Sequence, residues 1–303
     1  MRLDEAKAMR KAVKDNDVVM QLGHHYNSSP YYHRAREIYR SGQLGKVSLV
    51  RTYIDRTNPY PVWKFYTDYN ITEMPHDASP ETIDWERFIR NASKRPFDAE
   101  RFFTWRFWWE YGTGIAGDVM CHVWDGVNMI IGMGIPEAVL THGGDYFWKN
   151  PRDVPDMWNV VFDYPKQNLA VTYSSTHSSK HTGEITELLG RDQTLEVSPR
   201  FCRTFAGEWK PGYEEKVQQA QQTAWRYGVK AADATVAPEY SMGPDDLKVS
   251  SHMEDFIDCV RNHRKPRCDV DRAYAEAVAV IMSVESYRKE RKVRWDALRE
   301  EIV

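Results

Sequence analysis

Apolar and polar positions along this chain of 303 residues follow two periods, and the place where one gives way to the other sets the first expectations about its architecture. Residues 3–15 have the spacing of a helix. Asp17 to Gly23 (DVVMQLG) is a short apolar run closed by a glycine, which predicts a buried strand. A second helix is expected from about Pro30 to Arg40, with proline in its first turn and Gly42 just past its last. Gly45 to Ile54 then begins a strand after a glycine-containing turn. Residues 56–80 hold several prolines and many aromatics without a clean period, which predicts a long irregular segment. Helical patches follow at about 82–91 and 98–109, and another helix at 117–131. From Glu137 to about Phe205 the period shortens to that of strands separated by turn residues (EAVLTH, MWNVVFDYP, NLAVTYSST, EITELLG, TLEVSP, FCRTFAG), the signature of an antiparallel sheet. Residues 212–247 are expected to form a surface helix and loop. Two helices close the chain, at about 251–263 and 270–289; Met253, Phe256, Ile257 and Val260 give the first of them one apolar face.

Composition narrows the function classes. A chain that is 42% hydrophobic can bury one large core or two smaller ones. Its 41 basic and 44 acidic residues are nearly balanced, and its longest basic block is RNHRKPR near residue 261, which argues against a nucleic-acid partner. No apolar run approaches the ~18 residues of a membrane span, and MRLDEAKAMRKAVKDNDVVM has the charges of a soluble helix rather than of a signal peptide. Cys121, Cys202, Cys259 and Cys268 form no Cys-x-x-Cys pair, so neither a disulfide framework nor a structural zinc site is expected, and a reducing, cytoplasmic setting fits.

The candidate chemistry lies in GIAGDVMCHVWD, residues 114–125. On a helix over 117–131, Asp118, His122, Asp125 and Met129 share one face while Val119, Val123, Val127 and Ile130 share another. One face packs and the other looks into something. The preceding run Gly112-Thr-Gly114-Ile-Ala-Gly117 allows close approach of a ligand to the backbone. An N-terminal cap is the competing role for Asp118. Asp118 and His122, with Asp125, are also possible metal ligands, but one helix seldom completes a coordination sphere, so no metal is expected. The aromatics from Phe102 to Tyr111 suit core filling or a wall for stacking sugars; Trp63, Phe65 and Tyr66 in the irregular segment are further stacking candidates. His177, with His181, stands at a strand end from which it could meet a substrate.

Four stretches resemble the Gfo/Idh/MocA family of NAD(P)-dependent sugar and cyclitol oxidoreductases: QLGHHYNSSPYYHRAREIYRSGQLGKV, WRFWWEYGTGIAGDVMCHVWD, GIPEAVLTHGGDYF and the closing HMEDFIDCVRNHRKPRCDVDRAYAEAVAVIMSVESYRKERKVRW. The resemblance implies an α/β (α+β) chain: a Rossmann remnant over residues 1–45, with the returning C-terminal helix, and a substrate-binding and oligomerising domain over 46–303 built on an open, mostly antiparallel sheet with helices on one face. It implies His122 as catalytic acid/base and Asp118 as its partner at a substrate hydroxyl. Arg106, Tyr111, Trp63 and His177 would contact substrate, and Tyr26 and Asn27 would line the cofactor crevice. The family's cofactor is NAD or NADP. This chain lacks a Gly-x-Gly-x-x-Gly after a first strand and the family's Glu-Lys-Pro, and Met1 falls where the residue after that proline would stand. The expectation is a shortened reading frame, or a relative without redox chemistry, that binds dinucleotide poorly by itself. A small-molecule carbohydrate partner and a homo-oligomer, dimer or tetramer, formed through the sheet are expected. The reaction is that of a sugar dehydrogenase, with an oxidation–elimination glycosidase or a non-enzymatic carbohydrate-binding or oligomerisation module as alternatives.

Overall fold

The computed structural model describes residues 2–64, 73–181, 183–207, 238–243 and 246–303. Its centre is a sheet of ten strands: β1 (Val47–Ile54), β2 (Ala138–Gly144), β3 (Met157–Tyr164), β4 (Leu169–Thr176), β5 (Glu184–Gly190), β6 (Gln193–Ser198), β7 (Phe201–Ala206), β8 (Tyr240–Ser241), β9 (Val293–Asp296) and β10 (Glu301–Ile302). They lie in the order β10-β9-β2-β3-β4-β1-β5-β6-β7-β8. Only β1 and β4 pair in parallel; every other neighbour is antiparallel. The strands expected between 137 and 205 all form, because their alternation of apolar and polar side chains matches the two-residue repeat of a pleated strand. Val160, Val171, Thr52, Thr186 and Val197, from five adjacent strands, point to the buried face.

The helices cover that face. They are α1 (Leu3–Asp15), α2 (Pro30–Ser41), α3 (Trp85–Ile89), α4 (Ala99–Phe103), α5 (Cys121–Ile131), α6 (His252–Arg261) and α7 (Val270–Arg288). Helix α2 packs on β6, β7 and α5, and α7 packs on β2, α1 and α5. Tyr26, Tyr32, Ala35, Ile38 and Leu44 share one core with Val123, Val127, Phe162 and Val278. Helix α2 ends as expected, with Gly42 at φ 79°.

Three expectations need correction. Residues 17–23 form no strand among the described residues; the Leu22 N–H donates to the Cys268 carbonyl at 3.0 Å, so the segment lies along the loop before α7 without a ladder partner. The patches at 82–91 and 98–109 shrink to α3 and α4 plus a 3₁₀ turn at Trp105–Phe107. The pair β9 and β10 was not expected, since each is too short to show a period. The helix and loop expected over 212–247, with Phe65 and Tyr66, fall largely outside the described residues.

Candidate functional site

The helix carrying the candidate residues opens with a π-turn, Ala116–Met120, in which the Cys121 N–H reaches the Ala116 carbonyl five residues back. Such insertions recur at functional sites, because one extra residue per turn redirects the side chains around it. Gly117 leaves room inside it for Thr113, whose Oγ1 would have to turn away from a Cβ placed there. Asp118 is therefore not a cap. Its Oδ1 accepts from Arg106 Nε at 2.6 Å, and the guanidinium of Arg106 lies 4.2 Å from the Trp105 ring centroid. A pocket of about 210 Å³ opens here, lined by Trp105, Arg106, Tyr111 and Asp118 with the backbone of Gly112 to Gly114. The structure thus gathers Arg106, Tyr111 and Asp118, three of the expected residues, around one pocket.

His122 is not part of that lining, but it lies close enough to Asp118 for the carboxylate's charge to act on its ring. Its half-buried ring meets His24, His25 and Tyr26, with Nδ1 2.9 Å from His24 Nδ1. Its pKa is lowered to about 4, first by burial, then by His24 and His25, while the negative charge of Asp118 acts against them. The ring is neutral at physiological pH.

The face expected to hold Asp118, His122, Asp125 and Met129 is not one open face: the π-turn re-aims Asp118, and the regular helix after it carries Asp125 and Met129 into the interior. Asp125 is fully buried: it accepts from Arg272 Nε at 2.6 Å and from Asn27 Nδ2 at 2.5 Å. Met129 is buried in the core. With Asp118 and Asp125 each held by an arginine, the three groups that could converge on a metal ion among the described residues are instead His24, Cys121 and His122. Their ligand atoms lie within 4.8 Å of one another.

Tyr26 and Asn27 are interior. Tyr26 stacks on Tyr32 and donates its hydroxyl hydrogen bond to Glu184, while Asn27 is tied to Asp125 and to the His24 carbonyl. Gly126 makes this packing possible, since a Cβ there would run into the Tyr32 and Tyr26 rings. His177 is also fully buried, edge-on beneath Trp63 with ring centroids 4.6 Å apart. Its pKa falls to about 3, through burial first and the Arg152 charge second. Trp63 itself sits at φ 73°. His181 is exposed.

His24 and Glu276 are the residues that sequence reasoning passed over. His24 Nε2 forms an ion pair with Glu276 of α7, both side chains nearly inaccessible. The one available signal was the polar Glu276 in the apolar run AYAEAVAVIM.

Among the described residues no glycine-rich strand-to-helix turn presents N–H groups to a pyrophosphate, and the Tyr26 hydroxyl and the Asn27 side-chain nitrogen are already engaged, while Asn27 Oδ1 is buried without a partner. No helix among them is long and apolar enough to cross a membrane.

Comparison with known proteins agrees with this architecture. Residues 88–294 match the description "Oxidoreductase family, C-terminal alpha/beta domain", and residues 32–140 match a second form of that description. No curated protein sequence matches the chain. Among solved structures, levoglucosan dehydrogenase in complex with NADH and levoglucosan superposes with a TM-score of 0.63 at 15% identity, over 96% of this chain and 70% of that one. The aldose-aldose oxidoreductase from Caulobacter crescentus, complexed with glycerol, gives 0.61 at 15% identity over 96% and 68%. The WlbA dehydrogenase from Bordetella pertussis, with NADH and UDP-GlcNAcA, gives 0.60 at 13% identity over 97% and 69%. With two thirds of its length matched to the family's C-terminal domain, the chain belongs to the Gfo/Idh/MocA oxidoreductase family.

Proposed function

We propose that this chain recognises a polyhydroxylated substrate, a sugar, cyclitol or sugar derivative, in the pocket of Arg106, Tyr111 and Asp118, and that His122, which stands next to Asp118 beside that pocket rather than in its lining, moves the proton of the reacting hydroxyl as part of an oxidoreductase. The observation that carries this reading is the Arg106–Asp118 pair at 2.6 Å on the wall of an aromatic-lined pocket. A guanidinium and a carboxylate side by side offer a donor and an acceptor at one spacing, which vicinal hydroxyls match, and flat rings suit the C–H faces of a sugar. The neutral ring of His122 is able to accept a proton, as hydroxyl oxidation requires. Trp63 and His177 contribute behind the site, by packing. Residues 1–45 would belong to the dinucleotide-binding side and 46–303 to the substrate side, as in the family, but what the described residues supply is recognition and proton movement.

Titration calorimetry with cyclitols and aldoses tests this. The unaltered chain is expected to bind one of them, and Arg106→Ala to weaken that binding by about 10- to 100-fold, the loss of a charged hydrogen bond. Under turnover with NAD(P), His122→Gln is expected to lower kcat by roughly 10² with little change in KM. Polyol binding that ignores Arg106→Ala would overturn the assignment of the pocket.

A further inference from the structure

Behind His122 lies a buried chain of polar groups. His24, on the turn at His25–Ser28 or just before it, is 5% exposed, and Glu276 of α7 is 4% exposed. His24 Nε2 faces the Glu276 carboxylate, and His24 Nδ1 faces His122 Nδ1 at 2.9 Å. Two ring nitrogens at that separation share one proton, since one must donate and the other accept. With Nε2–H of His24 held by Glu276, the bridge has two states. In the first, His24 is an imidazolium that donates from Nδ1, and His122 carries its proton on Nε2. In the second, His24 is neutral, His122 donates from Nδ1, and its Nε2 is a bare lone pair. The two differ by one proton, and the place where they differ outwardly is His122 Nε2.

We propose that Glu276, His24 and His122 form a proton relay: a proton taken from a substrate hydroxyl by His122 Nε2 sends the Nδ1 proton of the same ring to His24 Nδ1, where the Glu276 carboxylate holds the imidazolium. The relay rests on the reading of His122 as the acid/base. One O–H bond breaks and one N–H bond forms at His122 Nε2; one N–H bond breaks at His122 Nδ1 and one forms at His24 Nδ1. No electrons are transferred, and the sequence runs backwards when the site donates a proton. His24 and Glu276 touch no substrate; they are positioning residues that act through His122.

The surroundings support this division of charge. From the helix of His122, Asp118 and Cys121 face the pair, and Asp125 is neutralised by Arg272 of α7. Arg56 adds positive charge; burial, and then the neighbouring His24, lowers the pKa of His25 and favours its neutral form. Burial works against a charged His24, but the hydrogen bond and charge of Glu276 outweigh it and raise its pKa above 6.5. His122, by contrast, is held to about 4 by burial and then by His24, so the two rings do not carry charge together. A metal ion on His24, Cys121 and His122 is the rival occupant. In the arrangement present, Cys121 donates its thiol hydrogen to the Gly117 carbonyl at 3.0 Å, and His24 Nε2 faces the Glu276 carboxylate.

Nitrogen-15 NMR of the full chain, labelled at histidine and assigned with His24→Gln and His122→Gln, tests the relay across a pH titration. His122 is expected to shift its proton from Nε2 to Nδ1 as pH rises through the titration of His24, above 6.5. Glu276→Gln is expected to lower that midpoint by at least about one pH unit, a tenfold loss in proton affinity. A His122 ring that keeps one tautomer while His24 titrates overturns the relay, as does a midpoint that ignores Glu276→Gln. Stoichiometric zinc whose removal by a chelator shifts both rings also overturns it and assigns the rings to an ion. The measurement needs no turnover, so loss of the polyol reading and loss of the relay are separate results.

Discussion

Arg106 and Asp118 were separately legible as candidates, because an arginine among tryptophans and an aspartate after a glycine run each stand out from their neighbours. Their pairing across twelve residues was not, nor was the meeting of His24 with His122 across 98, since no local period encodes a contact between distant segments. Asp125 read as a site residue because its partner Arg272 lies 147 positions away. The buried histidines have a consequence for stability. His177 has a folded pKa of about 3 against an ordinary 6.5. Between those values the unfolded chain binds a proton that the folded chain refuses, so stability rises with pH through that window. The contribution of His177 is fully present above pH 6.5 and is lost as pH falls toward 3. At pH 5 the loss is about 2 kcal/mol, from 1.36 kcal/mol per pH unit. Chemical denaturation at pH 7 and pH 5 should show a smaller acid loss in His177→Gln than in the unaltered chain; equal slopes would mean that the ring is not held neutral.

Element by element, the sheet was the most legible part of the fold and the stretch around the site the least. Strands β2 to β7 could be located to within a residue or two because each alternates against one buried face, whereas residues 17–23 are apolar for a different reason, covering the loop before α7. The π-turn at Ala116–Met120 leaves no trace in a pattern of apolar residues, yet it separates Asp118 from His122 and sends them to different neighbours. Close helix packing depends on one glycine of this segment. At Gly126, a methyl group would meet the rings of Tyr32 and Tyr26, which cannot withdraw because Tyr32 is fully buried and Tyr26 is bonded to Glu184. Gly126→Ala is therefore expected to destabilise by about 1–3 kcal/mol, the usual cost of overfilling a packed core, despite the better helix propensity of alanine. Urea unfolding measures this, and a neutral or stabilising result would show that helices α2 and α5 are able to move apart.

For the molecule as a whole, the face of the sheet away from the helices remains to be accounted for. One row runs straight across it by register: Leu140, Val161, Thr172, Arg51, Glu187, Glu196 and Arg203. Leu140 is 47% and Val161 41% exposed, apolar side chains side by side on a surface that no helix among the described residues covers. Farther along, the charges run positive, negative, negative, positive, and Arg203 pairs with Glu196. The edges of the sheet are poor templates for growth, since among the described residues β10 and β8 are two residues long. Association edge to edge is thus disfavoured, while face-to-face packing of two copies would bury the apolar end. A dimer or tetramer is therefore expected in sedimentation equilibrium. Val161→Glu places a carboxylate in the middle of the apolar end without touching the buried face, so it is expected to shift the equilibrium toward monomer by tenfold or more while leaving the circular dichroism spectrum unchanged. A chain that sediments as a monomer at every concentration, or a Val161→Glu variant that assembles as tightly as before, would remove the open face from the interface.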